Sequence, residues 1–324
     1  MSVIVPFAED LTLGVPLPPA PDVTIDSGLA AQYTAITGDG LRPALSSELS
    51  ATLTGRGERL ANPALVLSVS IGQSTVATRR VIANLQYRDV ALLRQVHLGE
   101  TIRTTVTPIA ADWTRSGRER AKVLLAMRLA TPAGEVIADY ERLALLPVRE
   151  PDRLQATGIP EGRPAEPLAA LGRLVPESWA SPVAVGTEPS AGIEWADPLA
   201  DTVSSARELV RLTHNLAATH RDARVAPNAQ RLVYGGHTIG LAQASLARTM
   251  PDLITVLAWR SCDHVGPVFE EDLLTFHTRV DAVERAGEFL LADVTVTGRA
   301  HRGEADPVDV LDFKPVVLIA GGRA

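Results

Sequence analysis

The proton-carrying side chains of this sequence are unevenly placed. Six of its seven histidines lie beyond residue 200, and only His97 precedes it. In the segment THNLAATHRDAR (213–224), His220 stands two residues before Asp222. An imidazole titrates near neutrality, so it can take a proton from water or give one to carbon. Further on, Gly235 and Gly236 open an apolar run that reads as a helix. The first backbone N–H groups of a helix are unpaired and sit at the positive end of its dipole, where they can hold a developing oxyanion. Glycine there lets a ligand approach the backbone closely. A proton carrier beside an oxyanion site suits acid–base chemistry next to a carbonyl group. By residue type alone the alternatives stay open. His220 is equally readable as a polar surface residue, Gly235-Gly236 as a turn, and His214 and His237 as helix-end or packing histidines. Asp263 and His264, at the end of a predicted strand, are further candidates for the same pocket.

The elements that must position these groups occur twice. In the first half, the polar segment TGDGLRPA (37–44) leads to an apolar stretch over 62–79, followed by strand-like runs at 81–89, 100–113, 120–131 and 136–148. In the second, residues 213–224 lead to GGHTIGLAQASLARTM (235–250), then to runs at 252–264, 272–284, 289–301 and 308–319. Alternation in TIRTTVTPI and ADVTVTGRAH predicts strands with one buried face and one wet face. The second helix opens on glycines and stops before Pro251, a matched start and stop signal. Small residues along it (Gly240, Ala242, Ala244, Ser245, Ala247) allow a sheet to wrap closely. The pattern predicts an α+β fold of two tandem units, each a long helix wrapped by an antiparallel sheet: a double hotdog. A two-layer α+β protein of other topology is the alternative. The expected organisation is an N-terminal unit over 1–149, a Pro/Gly-rich linker over 150–190 with a short helix near 167–174, and a C-terminal unit over 191–324.

Composition narrows the class. The chain has 324 residues, a net charge of −7, 46% hydrophobic and 21% charged side chains, and one cysteine. That acidic balance argues against nucleic acid as a partner. No run approaches the length of a membrane span, and the opening MSVIVPFAEDLTLG has no basic segment before an apolar core, so no membrane association and no secretory leader are expected. With Cys262 alone there is no disulfide framework, which favours the cytoplasm. No metal-ligand spacing and no dinucleotide fingerprint appears, so neither a metal nor a cofactor is expected.

The second half resembles the MaoC-like, hydratase-2 type enoyl-CoA hydratases. The likeness rests on His220 and Asp222, the Gly-headed helix in VYGGHTIG (233–240), and PVFEEDLL (267–274), which is similar to the family's PV–x–x–GD–x–L turn. The string from Arg231 to Leu274 looks closer still to the mesaconyl-CoA hydratases (β-methylmalyl-CoA dehydratases), and the first half follows more loosely through TGDGLRPA and VHLGETI (96–102). The family's loop motif, GD–x–N–P–x–H, sets Asp five residues before His. Here that position is Asn215, whereas the first half carries Asp39 with Ala44 five residues later. Each half thus retains one member of the pair.

The resemblance implies a hydro-lyase acting on a 2-enoyl-CoA thioester, with a branched dicarboxylic substrate such as mesaconyl-CoA suggested by the subfamily. It assigns His220 as the catalytic acid/base and the Gly235 and Gly236 amides as the oxyanion site. Asn215 cannot exchange a proton, but its amide can hold a water, so either His220 works alone or a carboxylate such as Asp222 assists. The first half is expected to accommodate the acyl group. A basic rim for CoA is expected, with Arg211, Arg248, Arg260 and Arg302 as candidates. An acyl-CoA thioesterase and a non-catalytic acyl-CoA binding subunit are the competing readings, because the fold alone does not decide. A monomer and a homodimer of double hotdogs both remain open.

Overall fold

The computed structural model describes residues 5–226 and 229–321; residues 1–4, the start of the segment weighed above as a leader, lie outside it. The first half runs β1 (Val23–Thr24), α1 (Ser27–Thr37), α2 (Arg42–Leu45), α3 (Ser47–Thr54), α4 (Pro63–Gln73), β2 (Ala83–Leu92), β3 (Thr101–Thr114), β4 (Gly117–Ala130) and β5 (Val136–Pro147). The second runs β6 (Glu194–Ala196), β7 (Asp201–Thr202), α5 (Ala206–Leu212), α6 (Gly235–Thr249), β8 (Leu253–Asp263), β9 (Leu273–Ala286), β10 (Phe289–His301) and β11 (Val308–Ala320).

The eight long strands fall close to the strand-like runs of the sequence. Along β3 buried and half-buried residues alternate through Val106, as period two requires of a sheet with one face on a core. Helix α4 is different: every residue from Pro63 to Gln73 is buried, as befits a helix enclosed on all sides. Its start is set by Asn62, whose Oδ1 accepts from the amides of Ala64 and Leu65, and by Pro63 at the first helical position. Helices α1, α2, α3 and α5 are additions to the sequence expectation of one long helix per half.

The two halves share one antiparallel sheet in the order β1-β3-β4-β5-β2-β8-β11-β10-β9-β6, with β7 paired to β9. The join is β2 against β8, with Tyr87 opposite Cys262 and Ala91 opposite Ala258. The sheet wraps α4 and α6, which also pack on each other. Close approach depends on glycine at two points. A Cβ at Gly72 of α4 would overlap the Thr213 carbonyl, and one at Gly240 of α6 would lie 2.7 Å from the Tyr33 hydroxyl.

The connection between the halves lies along the outside of the sheet. A 3₁₀ helix at Leu168–Leu174 buries Leu168, Leu171 and Leu174, together with Trp179, against Phe289, Leu291, Val316 and Leu318. Among the described residues no helix is long and apolar enough to cross a membrane.

Candidate active site

A cavity of about 370 Å³ opens where the two halves meet. The second half contributes Thr219, His220, Tyr234, Gly235, His264 and Phe269; the first contributes Asn84, Tyr87 and Arg142. No carboxylate lines it among the described residues.

His220 ends a short 3₁₀ turn, Ala218–His220, and that turn is fastened to the first half. The Leu216 amide donates to Thr75 Oγ1 at 2.8 Å, and the Ala218 amide to the Arg79 carbonyl at 2.9 Å. His220 Nδ1 lies 2.8 Å from the Leu232 carbonyl. A carbonyl only accepts, so Nδ1 carries the hydrogen and Nε2 keeps its lone pair. Burial lowers the His220 pKa to about 4; the Leu232 carbonyl opposes this and the Arg142 charge adds to it. The ring is therefore a neutral base at pH 7.

Two further cavity groups flank it. Tyr234 precedes α6, lies 5.7 Å from His220 between ring centroids, and is held by its hydroxyl donating to the Ser68 carbonyl at 2.8 Å. His264 follows β8, packs edge-on to Tyr87 at 6.1 Å, and has a buried Nε2 without a partner. Burial, the Arg142 charge and His220 lower its pKa to about 4. The glycines at the helix start admit these rings. A Cβ at Gly235 would lie 2.5 Å from His264 Nε2, and one at Gly236 would lie 2.6 Å from the Tyr234 ring. Gly235 lines the cavity and Gly236 does not. Their amides, in the first turn of α6, have no intrahelical acceptor.

The remaining expected residues stand elsewhere. Asn215 is buried outside the cavity lining, and its Oδ1 accepts from the Ala217 amide at 2.9 Å. The first half repeats this turn: Asp39 Oδ1 accepts from the Leu41 amide at 2.9 Å. Each turn follows a positive-φ residue, Gly38 and His214. Asp39 is buried between the two helices, where it also accepts from Asn62 Nδ2 at 2.7 Å and Gln243 Nε2 at 2.6 Å. Asp222 forms a two-pronged ion pair with Arg224, which lowers its pKa to about 2, and it does not line the cavity.

The arginines expected at a CoA rim are mostly engaged. Arg248 bridges Asp197 and Asp201, Arg260 holds Asp293 and the Glu166 carbonyl, and Arg302 holds Asp272. Arg211 stays largely exposed, with Glu208 at 3.9 Å.

Sequence reasoning missed Arg142, Asn84 and Thr219. The signal for Arg142 was present: Tyr140, Arg142, Ala144 and Leu146 are the inward residues of β5, so a cation stands in an otherwise uncharged inward register. The cavity wall also carries aromatic surface, from Tyr87, Tyr234 and Phe269.

No protein-family model matches the chain. It is 26% identical over 304 residues to the mesaconyl-CoA hydratase of Cereibacter sphaeroides, covering 86% of this chain and 84% of that enzyme. A conserved Mycobacterium tuberculosis protein of double hotdog fold is 34% identical to it, with a TM-score of 0.80 and coverage of 97% and 98% of the two chains. A Chloroflexus aurantiacus protein described as a MaoC-domain dehydratase superposes with a TM-score of 0.89 at 22% identity, over 100% of this chain and 99% of the other.

Proposed function

Because the chain belongs to the MaoC-like double-hotdog family, we propose that it is a hydro-lyase for 2-enoyl-CoA thioesters. It adds water across the C2=C3 bond to give a 3-hydroxyacyl-CoA, and removes it in reverse. The observation that carries this reading is the His220 Nδ1–Leu232 hydrogen bond, which leaves Nε2 as a base on the wall of a cavity whose lining includes the N-terminus of α6.

The chemistry follows from these parts. His220 Nε2 removes a proton from water as the water oxygen attacks C3. Electron density moves through C2 onto the thioester oxygen, where the Gly235 amide stabilises the enolate. The imidazolium, with no carboxylate in the cavity to share its proton, returns that proton to C2. Water is thereby added across the bond and His220 is regenerated. Asn215 acts through the turn it caps, which sets the position of His220. The acyl group is a branched dicarboxylic one of the mesaconyl type, a reading supported by the Cereibacter sphaeroides relative. A single buried cysteine suits the cytoplasm as its place of action.

The test is a panel of enoyl-CoAs assayed by mass for the hydrated product. Replacing His220 with alanine is expected to lower turnover roughly 10²–10⁴-fold with the fold intact. Near-normal hydration by that variant would overturn the assignment. Release of free CoA thiol without hydration would select a thioesterase, and binding without turnover would select a non-catalytic acyl-CoA subunit.

A further inference from the structure

Arg142 is the least expected group in the cavity wall. It projects from β5, is 2% exposed, and has no carboxylate within ion-pair distance among the described residues. Its bonded partners are neutral. Nε donates to Asn84 Oδ1 at 2.8 Å, and Nη1 donates to Ser74 Oγ at 2.7 Å and Thr78 Oγ1 at 3.1 Å. Arg88, Arg94 and Arg260, which are less deeply covered, are each paired with an acid. Burying a cation without a counterion costs stability, so such a group is expected where an anion arrives from outside.

The neighbours have the same bias. Asn84 Nδ2 and Thr219 Oγ1 are buried without hydrogen-bond partners, and both line the same cavity as Arg142. Asn84 Oδ1 is occupied by Arg142, which turns the amide so that its donor end is the free one. Three groups able to donate thus border one cavity that has no acidic side chain in its lining. Arg142 and Asn84 belong to the first half, whereas Gly235 and His220 belong to the second. The charged member of the anion receptor and the oxyanion site are therefore contributed by different halves.

Resting on the hydro-lyase reading above, we propose that Arg142, held by Asn84, Ser74 and Thr78, is the specificity-determining residue that receives a carboxylate on the acyl chain, with Asn84 Nδ2 and Thr219 Oγ1 as supplementary donors. Guanidinium geometry suits two carboxylate oxygens. The burial of Arg142 within the cavity wall favours an acyl carboxylate over a CoA phosphate.

The experiment compares fumaryl-CoA with crotonyl-CoA, which differ by a carboxylate in place of a methyl group. Both are offered to the wild-type protein and to Arg142→Gln and Arg142→Lys. Wild type is expected to favour fumaryl-CoA. Arg142→Gln, which keeps hydrogen-bonding capacity toward Ser74 and Thr78, should lose roughly 10²–10³-fold in kcat/KM on fumaryl-CoA, as for removal of one member of a desolvated charge pair. The loss on crotonyl-CoA should be much smaller, so that the fumaryl-to-crotonyl ratio of kcat/KM collapses, and Arg142→Lys should recover part of that ratio. Equal loss on both substrates would overturn the proposal, because it would make Arg142 part of the enolate site. A wild-type preference for crotonyl-CoA would overturn it as well. Hydration of neither substrate by wild type would strike the hydro-lyase reading instead. Calorimetric binding of succinyl-CoA against butyryl-CoA then remains a direct test, and equal affinity of wild type for the two would overturn the receptor. The same titration serves if Arg142→Gln does not fold.

Discussion

At residue scale, the turns at Asp39 and Asn215 have the same backbone hydrogen bond and different side-chain chemistry. Asp39 tolerates burial because amide donors from Asn62 and Gln243 meet its second oxygen; burial raises its pKa and these bonds oppose the rise. The corresponding positions around Asn215, counted from the two helix starts, are Tyr234 and Ile71. Tyr234 already donates to Ser68, and isoleucine has nothing to donate. Asn215→Asp is therefore predicted to bury an unpaired carboxyl and to destabilise the fold by about 2–4 kcal/mol, read from its urea unfolding midpoint. A midpoint equal to wild type would refute this account. The place of His220 on the cavity wall was legible in the sequence because the order of His220, Asp222 and the Gly-headed helix resembles a known family. The engaged arginines were not, since Arg248 is separated in sequence from Asp197 by more than forty residues and composition records no pairing. Arg142 lay between these cases, visible only once the register of β5 was applied.

At the scale of elements, the contact between α4 and the turn before Asn215 couples packing to the site. Gly72 faces the Thr213 carbonyl with no room for a Cβ, and Thr213 begins the segment that carries His220. Gly72→Ala is predicted to lower thermal stability, at a cost of about 1–3 kcal/mol for overpacking, and to reduce turnover by displacing the His220 turn. Thermal unfolding and hydration rate measured on one preparation check both effects; an unchanged melting temperature and rate would contradict them. Strands such as β3 and β10 were legible because alternation is a local property of a half-buried strand, whereas β8, buried without a break from Leu253 to Trp259, shows in the sequence as an apolar run. Helices α1, α3 and α5 were not. Each is short, and α1 (SGLAAQYTAIT) and α3 (SELSATLT) mix Ser, Thr and Gly or Ala with few large apolar residues, so no clear stripe marks a buried face. They are held by tertiary packing rather than by helix preference.

At the scale of the whole molecule, the three histidines whose pKa values fall furthest make the fold sensitive to acid. Burial brings His220, His237 and His264 down to about 4 from 6.5. Between those values the unfolded chain takes up protons that the folded chain does not, so stability is complete above about pH 7 and declines as pH falls from 6.5 toward 4. For the fully buried His237 alone the shift corresponds to about 3 kcal/mol. Urea unfolding at pH 7.5, 6 and 5 should show a falling midpoint, and a constant midpoint across that range would exclude the effect. The duplication was legible as a repeated order of elements. The shared sheet was not, because the pairing of β2 with β8 joins segments about 170 residues apart, and no local pattern specifies such a partner.

That same pairing of β2 with β8 has a consequence for how the cavity assembles. Two separate hotdog subunits would meet only as often as their concentration allowed, and their shared cavity would dissolve on dilution. On one chain the partner is always present, and the association becomes an intramolecular step governed by effective concentration rather than by abundance. The two copies are then free to differ, since neither must fit a twin of itself. One can specialise in holding an anion and the other in moving a proton, while both still line one cavity.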